Sequence, residues 1–322
     1  MACAKPAVAE AGAHRLRQAV DGVLLVDKPL GLTSNCALQT AKRLLQARKA
    51  GHAGTLDPMA TGLLPILFGE ATKLAFLLSD ADKIYLADVM LGTTTTTGDA
   101  EGEIIEARPV RVSPSQIDDA LNRFRGEIEQ LPPMYSALKR DGRPLYAYAR
   151  AGEQVERSPR RVRIHELEVL GHSAASVRIR VHCSKGTYIR TLAEDLGKVL
   201  ETGAHLGALR RVASGPWHIE QAVTLGQIEA TPPAARRSLL TPAHALLRDL
   251  PRALLGAEDA VRFCRGQARA GAGRSPGLYG VFTAESRFLG IGEIQADGML
   301  HPRRLLHPAE SAQPAEKHRE TL

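Results

Sequence analysis

The residues best suited to chemistry lie in one glycine-rich segment, residues 51–73, which reads GHAGTLDPMATGLLPILFGEATK. Its one aspartate, Asp57, precedes Pro58, and a residue ahead of proline is pushed away from helical geometry toward an extended one. The glycines on either side permit turns and a close backbone approach to a ligand. The pattern predicts a loop that presents a catalytic carboxylate, although Asp-Pro beside glycine is also typical of turns that do no chemistry.

Two further groups could act with such a carboxylate. Clean alternation over residues 177–183 predicts a half-buried strand with a basic outer face, and the helix pattern that follows places Tyr188 and Arg190 at a strand-to-helix junction. The segment PPMYSALKRDGRPLYAYAR mixes tyrosines with cations, a combination suited to nucleotide contacts. Tyrosines half-buried at a helix surface would look the same. The tyrosines concerned are Tyr135, Tyr146 and Tyr148.

The composition fits a globular protein whose partner is a polyanion. The chain has 322 residues, 44% of them hydrophobic, which is enough for a sizeable core and about two domains. Lys and Arg number 42 against 35 acids, a net charge of +7, which is compatible with binding RNA or DNA. The cations gather in groups that favour phosphate contacts, with solvated faces as the alternative. These groups are Arg157, Arg160, Arg161 and Arg163; Arg178, Arg180 and Lys185; Arg210 and Arg211; and Arg303 and Arg304.

Neither end of the chain carries a recognisable targeting segment. Residues 1–20 are alanine-rich but interrupted by charged side chains, and they lack the continuous apolar run of a secretory signal. No apolar run approaches the roughly 18 residues that a membrane helix needs. We therefore expect a cytoplasmic protein with a disordered leader over residues 1–20 and a disordered polar tail over residues 309–322.

No metal or nucleotide cofactor is predicted. The four cysteines are far apart with no C-x-x-C pair, and H-E-x-x-H is absent. GEATK lacks the glycine spacing of a phosphate-binding loop, and a Ser-His-Asp hydrolase would need a G-x-S-x-G elbow. The candidate chemistry is therefore one aspartate in a glycine-rich loop, surrounded by tyrosine, arginine and lysine.

Local patterns also predict the elements around this loop. Residues 23–26 read as a buried strand that leaves Lys28 exposed at its end, and Thr33 or Ser34 can cap the helix that follows. Ser113 and Gln116 form a possible capping box. Glycines and short alternating runs after residue 250 indicate a small β-rich module.

Five separated motifs in collinear order resemble the bacterial TruB family of tRNA pseudouridine synthases. They are DKPLGLTS, GHAGTLDPMATGLLPILFGEATK, KIY followed by LG and TGD, PPMYSALK, and CSKGTYIRTLAEDLG, and together they span residues 22–225. The segment FLGIGEIQADGMLHPRRLL is similar to a PUA domain, an RNA-binding module. One departure stands out: the family usually has a further acid before the TGD aspartate, where this chain has Thr96, and we expect altered loop contacts there without loss of catalysis.

The resemblance implies isomerisation of the uridine at tRNA position 55, in the T-loop, without metal or cofactor. Asp57 would be the catalytic carboxylate, by attack on the ribose or base or by assisting proton removal from the sugar. Arg190 would pair with Asp57 and keep it ionised by lowering its pKa. The remaining residues that the resemblance assigns to catalysis or substrate binding are Tyr85 stacked on the extruded uracil, Tyr188 beside it, Leu209 packed near the base, His52 holding the T-loop open, Asp99 in a charge network with Arg190 or Arg211, and Lys28.

The resemblance also implies an architecture. We expect an α+β fold: a mixed, largely antiparallel sheet flanked by helices over residues 21–250, and a small PUA-like β-barrel over residues 251–308. The partner would be the T-arm of tRNA, bound by a monomer with no obligatory protein partner and no membrane. Two alternatives stay open: a guide-RNA-dependent synthase subunit, and a non-catalytic RNA-binding or RNA-folding protein on the same scaffold.

Overall fold

The computed structural model describes residues 17–136 and 138–306. The strands are β1 Gly22–Lys28, β2 Ala50–His52, β3 Ala60–Phe68, β4 Lys83–Leu91, β5 Thr93–Thr95, β6 Ile104–Ala107, β7 Gly126–Gln130, β8 Lys139–Arg140, β9 Arg143–Pro144, β10 Arg160–His172, β11 Ser176–Cys183, β12 Ala204–Ser214, β13 Trp217–His218, β14 Val223–Thr224, β15 Arg252–Leu255, β16 Arg269–Ala270, β17 Gly277–Thr283, β18 Phe288–Ile294 and β19 Met299–Leu305. The helices are α1 Ser34–Leu44, α2 Ala75–Asp80, α3 Pro114–Asn122, α4 Leu145–Arg150, α5 Ile189–Val199, α6 Leu225–Ala230 and α7 Ala257–Cys264.

One large sheet organises the N-terminal part of the chain. Its strands run in the order β14-β1-β3-β12-β4-β11-β10-β7, with β2 added on β3 and β13 on β12. Most neighbours pair antiparallel, whereas β1 with β14 and β3 with β12 pair parallel. With helices packed against it, this sheet confirms the expected α+β class and its mixed, largely antiparallel character.

Strands β1 and β3 of this sheet are buried on both faces. In β1, Leu24 and Val26 join the larger hydrophobic core, whereas Val23 and Leu25 join a second core on the other face. A strand covered on both sides reads as a continuous apolar run, and this explains the run that predicted β1. Strands β1 and β3, which flank the Asp57 loop in sequence, are therefore packed on both sides.

Helix α1 begins as its sequence predicts. The Thr33 side chain accepts a hydrogen bond from the Cys36 N–H, so Thr33 is the N-cap and Ser34 is the first helical residue. Helix α3 begins with the expected capping box between Ser113 and Gln116. These caps satisfy backbone N–H groups that have no partner within the helix.

The outer face of β11 corrects one expectation about charge. Val177 to Cys183 alternate as predicted, but the exposed arginines meet acids from neighbouring strands. Arg178 Nε lies 2.6 Å from Asp88 Oδ1, and Arg180 Nη1 lies 2.9 Å from Glu166 Oε2. Since β4 and β10 supply these carboxylates, this face is a paired surface and offers no free basic patch to phosphate.

A second sheet forms the C-terminal module. Its order is β15-β17-β18-β19-β16, in keeping with the small β domain expected after residue 250. Phe282 and Ile291 of this sheet pack in the same hydrophobic core as Leu63 and Leu67 of β3. The two parts of the chain therefore share buried apolar surface.

The described residues bear only partly on the chain ends. Gln18 bridges to Ala47 and Val20 is buried, so the ordered chain begins before residue 21. The rest of the expected leader, and the expected tail, lie outside the described residues. Among the described residues, no helix is both long and apolar enough to span a membrane.

Candidate active site

The loop that carries Asp57 is anchored on both sides of that residue. Ser34 Oγ accepts a hydrogen bond from Leu56 N at 2.8 Å and donates one to Leu56 O at 2.9 Å. On the other side, Gly31 N donates to Pro58 O at 2.8 Å. Because both flanking residues are bonded to the start of α1 and the turn before it, the Asp57 side chain projects from a fixed backbone.

Arg190 brings three of the predicted residues together. Its Nη2 lies 3.0 Å from Asp57 Oδ2 and its Nη1 lies 3.5 Å from Asp99 Oδ2. The side chains of Arg190 and Asp99 are only 7% and 4% exposed, whereas that of Asp57 is 41% exposed. The pair thus presents a partly open carboxylate above a buried guanidinium, which also donates to the Thr97 and Tyr135 carbonyls.

The charge balance at Asp57 differs from the one expected. Burial raises the pKa of Asp57 above its usual value; Arg190 and Lys28 oppose this shift, and the nearby Asp99 carboxylate adds to it. Arg190 lowers this pKa as expected, but the net shift is upward because desolvation penalises the charged form more than the ion pair favours it. The carboxylate that results is more basic than an exposed aspartate.

Asp57 borders a cavity of about 540 Å³ that holds most of the predicted base-binding residues. Burial raises the pKa values of Tyr85 and Tyr188, so both phenols remain protonated at neutral pH. The cavity is lined, among others, by Asp57, Tyr85, Tyr188, Arg190, Leu209 and Arg211. Two aromatic rings, one aliphatic side chain and a carboxylate are a suitable lining for a flat heterocyclic base.

A second cavity, of about 460 Å³, borders the same ion pair. It shares Asp57 and Arg190 with the first and adds His52, Asp99 and Glu101. Burial, followed by the charge of Arg211, lowers the pKa of His52 and favours the neutral ring. His52 Nδ1 is buried and has no hydrogen-bond partner among the described residues, so a polar group that reached it would satisfy it.

Arg211 is buried in the wall of the first cavity and is held by backbone carbonyls. Arg211 is 1% exposed; its Nε donates to Leu63 O at 2.8 Å and its Nη2 to Gly54 O at 2.9 Å, so Arg190 alone of the two arginines pairs with Asp99. The backbone of Arg211 also lies very close to Gly62 of the neighbouring strand β3. A side chain at position 62 would clash with the Arg211 carbonyl oxygen, so only glycine fits there.

Lys28 is fully buried, which corrects the expectation that it is exposed. Its Nζ donates to Leu32 O at 2.6 Å and to Pro29 O at 3.0 Å, because the turn after β1 folds back over the ammonium group. Burial lowers its pKa to about 8, with Asp57 and Glu101 opposing the shift. Lys28 therefore contributes positive charge from beneath the loop and lines neither cavity.

Comparison with known proteins agrees with these motifs over most of the chain. A family model described as TruB family pseudouridylate synthase (N terminal domain) matches residues 42–189. Models for the tRNA pseudouridylate synthase B C-terminal domain and for Pseudouridine synthase II TruB, C-terminal, match residues 190–261 and 251–306. A curated relative from Aromatoleum aromaticum, named tRNA pseudouridine synthase B, is 56% identical over 92% of this chain and 96% of its own length. The chain belongs to the TruB family.

Other relatives of this TruB chain carry the same name. The protein from Azoarcus sp. is 55% identical over 90% of this chain and 96% of its own length. That from Thiobacillus denitrificans is 54% identical over 90% of this chain and 97% of its own length. These identities far exceed those to proteins of ribonucleoprotein complexes, so the guide-RNA-dependent alternative is not favoured.

Solved structures match the fold of the TruB chain. The crystal structure of the archaeal box H/ACA sRNP Nop10-Cbf5 complex aligns with a TM-score of 0.69 at 24% identity, covering 91% of this chain and 88% of that one. A Cbf5-Nop10-Gar1 complex aligns with a TM-score of 0.66 at 29% identity, covering 85% and 78%. The pseudouridine synthase fold is therefore shared with these proteins.

Sequence reasoning missed several residues that shape this TruB site. Gln130 fixes Tyr188 from the end of β7: its Oε1 accepts from Tyr188 N at 2.9 Å and its Nε2 donates to Tyr188 O at 3.3 Å. Ser34 was considered only as a helix cap, and Glu101 of the second cavity was not considered. The hydrogen-bond partner of Gln130 is 58 residues away in sequence and that of Ser34 is 22 residues away. No local sequence spacing could therefore indicate either contact. Thr96 caps the β5–β6 hairpin by accepting from Glu103 N.

Proposed function

We propose that this protein is a tRNA pseudouridine synthase that converts the uridine at tRNA position 55, in the T-loop, to pseudouridine. The observation that carries the proposal is the partly exposed Asp57 carboxylate, 3.0 Å from buried Arg190, at the edge of a cavity with two tyrosines. TruB-family relatives named tRNA pseudouridine synthase B support the same reaction.

The reaction moves the glycosidic bond from N1 to C5 of the uracil. The N1–C1′ bond breaks, the C5–C1′ bond forms, N1 gains a proton and C5 loses one, so the atoms balance without a co-reactant. Asp57 supplies a carboxylate whether it attacks the ribose, attacks the base or removes a sugar proton, and each route needs it ionised. Arg190 holds that carboxylate in place and offsets part of the cost of its burial.

The base must leave the folded RNA before it can reach Asp57, since enzymes that act on a base within a structured strand extrude it. We place the extruded uracil in the first cavity, between Tyr85 and Leu209, with Tyr188 beside it. His52, with its unpaired Nδ1, would meet the remaining loop from the second cavity. The shared ion pair then lies where the two parts of the RNA separate.

The segment of residues 28–56, which leads from the end of β1 to the Asp57 loop, is the best surface for RNA phosphates. Residues 28–56 contain no Asp or Glu, and Arg43, Arg48 and Lys49 are exposed. Within this segment, the start of α1 and His52 both border the second cavity. We propose that it holds the T-arm backbone while the loop enters the cavities.

We also propose how the enzyme recognises RNA, in what assembly it acts and where. The T-arm as the recognised element, action as a monomer without an obligatory protein partner, and a cytoplasmic location go beyond what the family membership states. The absence of a guide requirement is supported by the identity to relatives named tRNA pseudouridine synthase B.

The proposal is tested by mapping pseudouridine in an unmodified tRNA transcript incubated with the purified protein alone. We expect one new pseudouridine, at position 55, and none in a matched transcript with cytidine at that position. Modification elsewhere in the same transcript, or modification only after guide RNA is added, would contradict the assignment.

A further inference from the structure

Three potential metal ligands converge on the outer face of the large sheet, away from both cavities. Asp82 Oδ2 lies 3.2 Å from His165 Nε2 and 3.9 Å from His182 Nε2. One ligand atom from each of the three residues lies within 4.8 Å of the others. Asp82 immediately precedes β4, and the two histidines come from β10 and β11, so three neighbouring strands contribute one ligand each.

The face on which this cluster lies follows from strand pairing. His182 is directly opposite Ile84, whereas the next pair, Val181 with Tyr85, points to the other side of the sheet. Tyr85 borders the first cavity, so the cluster is on the face opposite to the site around Asp57. It therefore belongs to a separate part of the surface.

A β-bulge brings the second histidine into the cluster. The register of β10 against β11 shifts between Ile164 and Glu166, so His165 and Glu166 together oppose His182. Glu166 turns to Arg180, and the His165 ring instead lies 4.8 Å from the His182 ring, centre to centre. Bulges of this kind commonly re-aim a side chain beside a functional site.

The donor set and its spacing fit a first-row divalent metal. Two imidazole nitrogens and one carboxylate oxygen suit zinc, which binds such atoms at about 2.0–2.2 Å in tetrahedral geometry. Ligand atoms at that radius lie about 3.3 Å apart, close to the 3.2 and 3.9 Å separations from Asp82. The three ligand atoms lie within 4.8 Å of one another, and side-chain rotations would bring them to the spacing of a bound ion.

The cations near the cluster are paired with other carboxylates and so do not compete for Asp82. Arg180 is paired with Glu166 and Glu168, and Lys185 Nζ is 2.8 Å from Asp80 Oδ1. The side chain of Asp82 is 48% exposed, and those of the histidines are about 30% exposed, so water can complete the coordination. A hard cation such as magnesium prefers oxygen ligands, so imidazoles favour zinc over it.

We propose that Asp82, His165 and His182 form a peripheral binding site for zinc or a similar first-row divalent ion. The ion would link the start of β4 to β10 and β11 and so stabilise the strand that carries Tyr85. It takes no part in the isomerisation, because it lies on the opposite face of the sheet.

The test is calorimetric titration of Zn²⁺ into the chelator-treated, untagged full-length protein at neutral pH. We expect one equivalent to bind with micromolar affinity and to raise the melting temperature, since a ligand that binds only the folded state stabilises it. The His165→Ala and His182→Ala variants should each lose about 100-fold or more in affinity. The control variant His172→Ala changes a histidine that is on β10, like His165, but outside the cluster. It should bind zinc as the wild type does.

Equal affinity in the wild type and in the His165→Ala/His182→Ala double variant would overturn the proposal, as would the absence of binding by the wild type. Pseudouridine formation by the chelator-treated wild type should be unchanged. This readout separates failure of the metal site from failure of the proposed enzyme function.

Discussion

At the scale of single residues, the Asp57 carboxylate lies between opposing influences on its charge. Burial and the Asp99 carboxylate favour its neutral form, whereas the Arg190 guanidinium at 3.0 Å favours its charged form. The net effect is a raised pKa. Because every proposed route needs the ionised carboxylate, activity should fall as the pH is lowered through this raised pKa, sooner than for an exposed aspartate.

Asp99→Asn should move this loss of activity at low pH, the acid limb of the pH–rate profile, to lower pH. The change removes a like charge near Asp57 and leaves Arg190 with one carboxylate, and both effects lower the pKa of Asp57. The measurement is the single-turnover rate of pseudouridine formation against pH. Asp88→Asn, on the outer face beside Arg178, is the matched control and should leave the limb in place. A limb that stays fixed or moves upward in Asp99→Asn would refute this account of the charge balance.

At the scale of elements, helix α1 and its preceding turn position the catalytic loop. The Ser34 hydroxyl makes two hydrogen bonds to the backbone of Leu56, and Gly31 bonds to Pro58. Thr33 takes the capping role, which leaves Ser34 free for the loop. The start of α1 is thus part of the geometry of Asp57.

Ser34→Ala should slow turnover by about 10- to 100-fold while RNA affinity changes little, because misplacing a reacting group is costly even without loss of the group. It should also destabilise the fold by roughly 1–3 kcal/mol, since the Leu56 N–H and carbonyl lose a buried partner. Single-turnover rates and thermal unfolding measure these two effects. Ser238→Ala, which removes one exposed local hydrogen bond, should change neither; a normal rate in Ser34→Ala would show that the loop needs no such support.

The elements were largely predictable from sequence, because β1, α1, α3, β11 and the start of α5 each depend on local periodicity and caps. The failures concern partners that are distant in sequence. Lys28 reads as an exposed strand end, yet the following turn folds over it. Arg178 and Arg180 read as a basic face, yet acids from β4 and β10 neutralise them.

The candidate site was predictable to a similar extent. Asp57, Arg190 and Asp99 come together as the resemblance implied, and Tyr85, Tyr188 and Leu209 line one cavity. The direction of the Asp57 pKa was not predictable, because it depends on burial that only the folded chain creates.

At the scale of the whole molecule, the two parts of the chain are joined by packing. Leu246 and Leu247 lie in one core with Phe282 of the C-terminal sheet and Leu63 of β3. Cutting the chain at residue 250 would expose this core. The contribution of the C-terminal module to RNA binding is therefore better tested by surface substitutions than by truncation.

The distribution of unpaired cations predicts which surface binds RNA. The Arg48→Gln/Lys49→Gln variant should weaken tRNA binding and reduce the slope of log K against log salt by about 2, one for each lost phosphate contact. Arg178→Gln removes a cation that is already paired with Asp88 and should leave the slope unchanged. Binding titrations over a range of salt concentrations measure both; equal slopes in all three proteins would place the interface elsewhere.

The central claim is that one carboxylate performs the chemistry while many other groups bind the RNA. It is tested most directly by a single-turnover assay with a tRNA transcript tritiated at uracil C5, since forming the C5–C1′ bond expels the C5 hydrogen. We predict tritium release by the wild type and a rate lower by at least about 10⁴-fold in Asp57→Asn, with tRNA affinity little changed. Release at a near-normal rate by Asp57→Asn would contradict the assignment of Asp57 as the catalytic group.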